Sequence, residues 1–172
     1  FSFAKVPYGT WIICEIESPK GYVLSEEEIA VTIGKVDEVV EIELVNYFIK
    51  GNIALTKVDE DYPDNKLSGA VFEVYSDTNG DGKLDKDDTL LGEMKELDGG
   101  VYQMSELRYG KYLVKESKAP TDFVLDEDVY AVSIEENGKT YTVENKAGVG
   151  FINAAQKGSL KIVKTSSDGK VE

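Results

Sequence analysis

Tyr109-Gly110-Lys111-Tyr112-Leu113-Val114-Lys115-Glu116-Ser117-Lys118-Ala119-Pro120 is the stretch on which the fold turns. Two-residue alternation sends Tyr112, Val114 and Glu116 to one face of a strand and Lys111, Leu113 and Lys115 to the other, and Pro120 ends it. The lysines mark the solvent side, so Glu116 is expected among apolar residues. A lone ionised carboxylate is too costly to bury, so this glutamate must be protonated or must have a partner elsewhere in the chain.

The same phrase recurs as Tyr8-Gly9-Thr10-Trp11-Ile12-Ile13-Cys14-Glu15-Ile16-Glu17-Ser18-Pro19, with Trp11, Ile13 and Glu15 on the apolar parity. The tails Gly21-Tyr22-Val23-Leu24 and Asp122-Phe123-Val124-Leu125 follow at an offset of 101 residues. Further on, Asn46 to Gly51 matches Asn153 to Gly158, and Gly51-Asn52-Ile53-Ala54-Leu55-Thr56-Lys57 matches Gly158-Ser159-Leu160-Lys161-Ile162-Val163-Lys164, both at an offset of 107. Landmarks that agree in order and spacing indicate an array of modules of roughly 100 residues. The 172 residues then divide into the C-terminal part of one module (1–49), a complete module (50–156) and the first strand of a third (157–172).

A hydrophobic content of 41% supports a packed core despite a net charge of −14. That acidity argues against nucleic acid and against anionic membranes as partners. One Cys and no His remove disulfide frameworks, Cys/His zinc sites and His-based acid/base machinery. Cys14 has the outward parity and reads as an incidental thiol.

Residues 1–6 read as the end of a strand, and Ile29 to Ile33 as a short one. Val39 to Val45 alternates cleanly, with Ile42, Leu44 and Asn46 inward. The complete module opens on Ile53, Leu55 and Lys57, which share the apolar parity. Strands are expected at 70–75, at 100–104 leading into the Glu116 strand, at 129–134 and at 140–144, and Val149 to Asn153 closes the module with Phe151 and Asn153 on one face. No helical period of useful length appears. The fold class is therefore all-β: tandem antiparallel β-sandwich modules, one complete and two partial.

Three inward polar side chains, Lys57 on the first strand, Glu116 on a middle one and Asn153 on the last, can solve one another's desolvation problem. The first and last strands of a sandwich can lie side by side. In a dry site Lys tends to lose its proton and Glu to keep one. A neutral Lys57 amine could then attack the carboxamide carbon of Asn153 while Glu116 relays protons and ammonia leaves, giving an isopeptide cross-link. The alternative is a buried Lys–Glu pair with a hydrogen-bonded Asn. Glu15, Asn46 and Lys164 occupy the matching places in the partial modules, which favours the first reading. Asn145 is a rival acceptor whose spacing to the next Gly does not match the first module's.

The phrases YGKYLVKESKAPTDFVL and YGTWIICEIESPKGYVL resemble the E-box of Gram-positive pilins, and GNIALTKVD and GSLKIVKTSSD are similar to the lysine-bearing first strand of Cna B-type (SpaA-like, prealbumin-like) domains. The resemblance implies an inverse-Ig-like β-sandwich and a self-catalysed Lys–Asn isopeptide bond assisted by Glu. Carried over, Lys57 and Asn153 would be joined with Glu116 catalytic, and Glu15 would serve Asn46, with Lys164 as the corresponding lysine. Phe123 stands where the family usually has Tyr, and Thr121-Asp122 replaces its Gly step, so the turn after Pro120 is atypical.

Asp77-Thr78-Asn79-Gly80-Asp81-Gly82-Lys83-Leu84-Asp85-Lys86-Asp87-Asp88 follows the twelve-residue calcium loop, with Asp in place of Glu at the last position. Asp77, Asn79, Asp81, Asp85 and Asp88 would supply side-chain oxygens and Lys83 its carbonyl, so a structural Ca2+ is expected. The alternative is a solvated acidic hairpin loop.

These readings point to a stalk segment of a Gram-positive adhesin or pilus, extracellular and attached to the cell wall. Single-turnover cross-linking would be its only chemistry, and it would not be an enzyme. Its partners would be neighbouring modules and, through a strand at Leu160–Lys164 laid beside Ile42–Asn46, other copies head to tail. The rival function is a module binding host protein or glycan.

Overall fold

The computed structural model describes residues 1–165 and 167, and in them eleven strands and no helix. The first two, β1 (Gly9–Ile13) and β2 (Ile29–Ile33), form an antiparallel pair. The remaining nine build a two-layer sandwich. One layer holds β3 (Lys50–Asp59), β7 (Val101–Arg108), β6 (Lys95–Glu96), β10 (Thr140–Thr142) and β11 (Phe151–Asn153). The other runs in the order β5 (Thr89–Glu93), β4 (Val71–Ser76), β8 (Gly110–Lys118), β9 (Val129–Ile134). Their inner faces meet in one core of Ile53, Leu55, Phe72, Val74, Tyr102, Val114, Ile134 and Phe151, among others.

The alternation read from the sequence sets what is inside. Ile53, Leu55 and Lys57 on β3, and Tyr112, Val114 and Glu116 on β8, are all buried. The two layers are bridged by edge-to-face ring contacts, Phe72 on Tyr102 at 5.1 Å and on Phe151 at 4.9 Å.

The sandwich departs from the expected all-antiparallel pairing in one respect that matters for function. Both β10 and β11 run parallel to β3, β11 with Phe151 opposite Lys57 and Asn153 opposite Asp59. The turn after β9 therefore does not close a hairpin; it carries the chain from one layer to the other. Gly150, at φ 130°, lets β11 approach β3 closely, since a Cβ there would stand 2.8 Å from the Thr56 carbonyl oxygen.

Four other expectations are corrected. Leu113, assigned to the solvent face, is fully buried: the loop after β4 folds back over the outer face, with Lys111 Nζ donating to the Gly80 carbonyl at 2.8 Å and Gly82 set against Ala131. Strands β5 and β6 were not anticipated, because residues 89–96 carry no clean alternation. In the first module, Trp11 is 43% exposed and β1 ends before Glu15. Residues 1–6 and Val39 to Val45 form no strand, and Val39, Val40, Ile42, Leu44 and Val45 are exposed. Residues 44–46 are the repeat counterpart of β11, which exists by pairing with β3. Among the described residues no strand lies beside 44–46, so the alternation has no ladder to join.

The junction between the modules is closely tied. Ile49 N donates to the Gly21 carbonyl and Tyr109 N to the Ile49 carbonyl, each at 2.9 Å. Phe48 stacks on Tyr22 at 4.6 Å, and the Arg108 guanidinium lies 4.0 Å from the Phe48 ring centroid. The linker is thus hydrogen-bonded and stacked to residues on both sides of it.

Candidate functional site

Lys57, Glu116 and Asn153 meet at one end of the core, 0%, 0% and 3% exposed. Lys57 is held through its backbone, its N–H donating to the Gly100 carbonyl at 2.8 Å and its carbonyl accepting from Leu67 N at 2.9 Å. Its Nζ donates to the Phe151 carbonyl at 3.1 Å, lies 4.9 Å from the Phe151 ring centroid, and is 3.8 Å from Glu116 Oε1. The other oxygen, Glu116 Oε2, accepts from Asn153 Nδ2 at 2.8 Å and from Asp126 N at 2.9 Å. Asn153 Nδ2 also donates to the Val124 carbonyl. One carboxyl group therefore stands between the amine and the amide, with one oxygen turned to each.

Desolvation dominates the electrostatics. Burial pulls the Lys57 ammonium down to about 8, outweighing the attraction of Glu116 and Asp126. Burial likewise pushes the Glu116 carboxyl up, against the hydrogen bonds from Asp126 N and Asn153 and the charge of Lys57. Near neutral pH the site thus makes a neutral amine accessible at small cost. Glu116 Oε1 and Asn153 Oδ1 are buried without a hydrogen-bond partner. A buried orphan acceptor is costly, and two of them in one buried cluster mark a site not arranged for stability alone.

The first module repeats this geometry without the lysine. Glu15 Oε2 accepts from Asn46 Nδ2 at 2.6 Å and from Ser25 N at 2.8 Å, and Asn46 Nδ2 donates to the Val23 carbonyl at 3.3 Å. Each of these groups has its counterpart around Glu116. Glu15 and Asn46 are only half-buried, and Lys164, exposed in a segment with no strand, is not brought to them. Asn145 does not reach Lys57; both ends of its carboxamide bind the Ile152 backbone.

Asp126 and Tyr130 escaped the sequence reading. The signal available was the continuation of the repeated tail by one residue, to Ser25 in one copy and Asp126 in the other.

In the 77–88 loop the expected ligand side chains turn onto backbone. Asp77, the one buried member, accepts from Gly80 N at 2.7 Å and Gly82 N at 3.1 Å; Asn79, Asp81 and Asp85 each accept from the N–H two residues on. Asp88 accepts from Thr78 N and Asp85 N. Among the described residues no three acidic side chains come together as metal ligands. Lys83 is exposed, and its N–H serves Asp81.

A family model for the SpaA prealbumin-like fold domain matches residues 1–47 and 51–148. The chain belongs to the SpaA prealbumin-like family. Among solved structures, the Bacillus anthracis TIE protein superposes with a TM-score of 0.71 at 27% identity over 97% of this chain and 32% of its own length. The chain thus spans about a third of that relative. BcpA, the major pilin subunit of Bacillus cereus, is 26% identical over 77% of this chain and 34% of its own, with a TM-score of 0.47. Comparison with curated protein sequences finds no match. No helix among the described residues is long and apolar enough to cross a membrane. Of this SpaA-like chain, the family match covers Lys57 and Glu116, and Asn46 in the first module, and ends before Asn153.

Proposed function

We propose that this chain is a stalk segment of a Gram-positive surface protein, an adhesin or a pilus, whose complete module is closed by a Lys57–Asn153 isopeptide bond. The observation that carries the reading is the Glu116 carboxyl held between a buried amine and a buried carboxamide, 3.8 Å from Lys57 Nζ and 2.8 Å from Asn153 Nδ2. The neutral amine attacks Asn153 Cγ and a C–N bond forms. Glu116 takes a proton from the Lys57 nitrogen through Oε1 and delivers one through Oε2 to the departing nitrogen. The Asn153 Cγ–Nδ2 bond breaks, and ammonia leaves with no other co-reactant. The module cross-links itself once and turns over nothing else.

Mechanically, the product ties β3, which follows the linker, to β11, which precedes the next segment. Tension applied along the array enters on one and leaves by the other, so it runs through the covalent tie and not through the sheets. Single-molecule pulling is the test. The 50–156 module should show no unfolding extension in wild type and a full-length one in Lys57→Ala; an extending wild-type module would refute the stalk reading.

A second proposal concerns the 77–88 loop, which we propose takes one structural Ca2+. What supports it is the order of oxygen donors, reinforced by the turns that Asp77, Asn79, Asp81 and Asp85 make with the backbone. Asp85 and Asp88 must leave backbone N–H groups to ligate, and the last ligand is a short Asp. Affinity should therefore fall in the weak range, Kd of about 0.1–1 mM. Calorimetry on chelator-treated protein should show this binding, lost in Asp77→Ala with Asp81→Ala; no heat, or heat unchanged by those substitutions, leaves the loop a solvated hairpin.

A further inference from the structure

Beyond the lysine and the degree of burial, the two copies of the glutamate site differ at the residue that caps the carboxylate, and that difference isolates what the Asp126 side chain adds. Around Glu15, Ser25 caps the carboxylate with its N–H, and its Oγ accepts from Glu27 N at 3.3 Å. Asp126 does both things in the complete module, capping Glu116 with its N–H and accepting from Asp128 N at 2.9 Å through Oδ1. Its second oxygen, Oδ2, has no counterpart in Ser25. It accepts from Asn145 Nδ2 at 2.7 Å and from the Tyr130 hydroxyl at 2.8 Å.

Asn145 in turn grips the backbone of Ile152 on both sides, accepting from its N–H at 2.6 Å and donating to its carbonyl at 2.9 Å. Ile152 lies between Phe151, whose carbonyl holds Lys57 Nζ, and Asn153, whose carboxamide is the acceptor. The Tyr130 ring packs edge-on to Phe151 at 5.1 Å. A circuit of hydrogen bonds thus runs from Glu116 through Asp126 and Asn145 to the residue between the two that face Lys57. Strand β11 has only three residues, too short for its own ladder to define its placement against β3.

From this, and resting on the cross-link reading above, we infer that Asp126 and Asn145 are positioning residues for bond formation: they hold β11 against Glu116 so that the Asn153 carboxamide meets the Lys57 amine. Neither side chain touches the reacting atoms; Asp126 meets Glu116 only through its backbone N–H. Effective reaction between two such groups requires near-attack placement, and a misplacement of about 1 Å can cost on the order of a hundredfold. Carboxylate and carboxamide are matched for the role, since one acceptor oxygen of Asp126 meets one donor of Asn145 and leaves the other two polar contacts of Asn145 for the backbone of a single residue, Ile152.

The test follows ammonia loss by intact mass, over time, in the full chain made by cell-free synthesis. Wild type is the reference. Asn145→Ala and Asp126→Ala should form the bond at least tenfold more slowly, accumulating folded chains at the unmodified mass. Asp126→Asn, which keeps an acceptor oxygen, should recover most of the rate, and Tyr130→Phe, which leaves the Asn145 contact intact, should slow it least. A merely structural role would lower the melting temperature of these variants while leaving the rate unchanged. That pattern overturns the inference, as would Asp126→Asn being as slow as Asp126→Ala. Should Asp126→Ala fail to fold, Asn145→Ala and Asp126→Asn decide the matter alone. A wild-type chain that never loses ammonia refutes the cross-link itself, an outcome distinct from linked variants forming at the wild-type rate.

Discussion

Glu116→Ala should yield a chain that keeps the ammonia wild type loses, at the full mass expected for its own sequence. The carboxyl is the group placed to accept the amine's proton and to protonate the leaving nitrogen, and no His is present to substitute for it. Glu116→Gln, which preserves size and hydrogen-bonding shape, should be equally unlinked, which separates proton transfer from packing. The stability loss should be large. A tie that closes a loop of about 100 residues contributes about 4.7 kcal/mol on the loop-entropy model derived for disulfides. In a domain of this size that corresponds to a melting temperature lower by about 20 °C. Glu15→Ala, in the copy that faces no lysine here, should leave the mass loss intact. Glu116→Ala recovered at the cross-linked mass would remove Glu116 from the mechanism.

Phe151→Ala should cost about 3–5 kcal/mol, the range for truncating a fully buried aromatic ring. Phe151 packs edge-on against Phe72 at 4.9 Å and Tyr130 at 5.1 Å, and so joins the layer of β3 and β11 to both strands of the facing layer that flank β8. Its ring also closes the site, 4.9 Å from Lys57 Nζ. Removing it opens a cavity that admits water to the amine, restoring the ammonium and slowing attack. Phe151→Leu, which refills most of the volume, should recover most of the stability. Thermal unfolding with intact mass reads both effects, and a melting temperature within a few degrees of wild type would contradict this account of the core.

The turn after Pro120 shows how an atypical sequence reaches a shared geometry. Asp122 takes the place of Gly21 and adopts the same left-handed conformation, φ 68° against 86°. Asp is among the few side chains that tolerate it. The backbone bonds that follow are conserved between the copies, Gln156 N to the Asp122 carbonyl at 2.7 Å and Ile49 N to the Gly21 carbonyl at 2.9 Å.

The sequence alone determined which side chains of each long strand face the core. Alternation is a property of the extended backbone itself, so Ile53, Leu55 and Lys57, then Tyr112, Val114 and Glu116, then Phe151 and Asn153, each share a face whatever lies across from them, and in the complete module those faces are buried. It likewise placed an amine, a carboxyl and a carboxamide on three strands of one module, and the repeat showed which asparagine to pair with which glutamate. The tertiary structure alone decided what depends on a neighbour. Val39 to Val45 alternates as cleanly as β8 yet forms no strand, because a ladder needs a second backbone and none lies beside it among the described residues. Leu113 has the outward parity yet is buried, because a loop remote in sequence folds over it. Asp126 sits in an unremarkable acidic run, and only the parallel placement of β11 beside β3 brings Asn145 within reach of its second oxygen. Periodicity is local and legible one residue at a time; pairing, covering and positioning are relations between segments, set when the chain closes on itself.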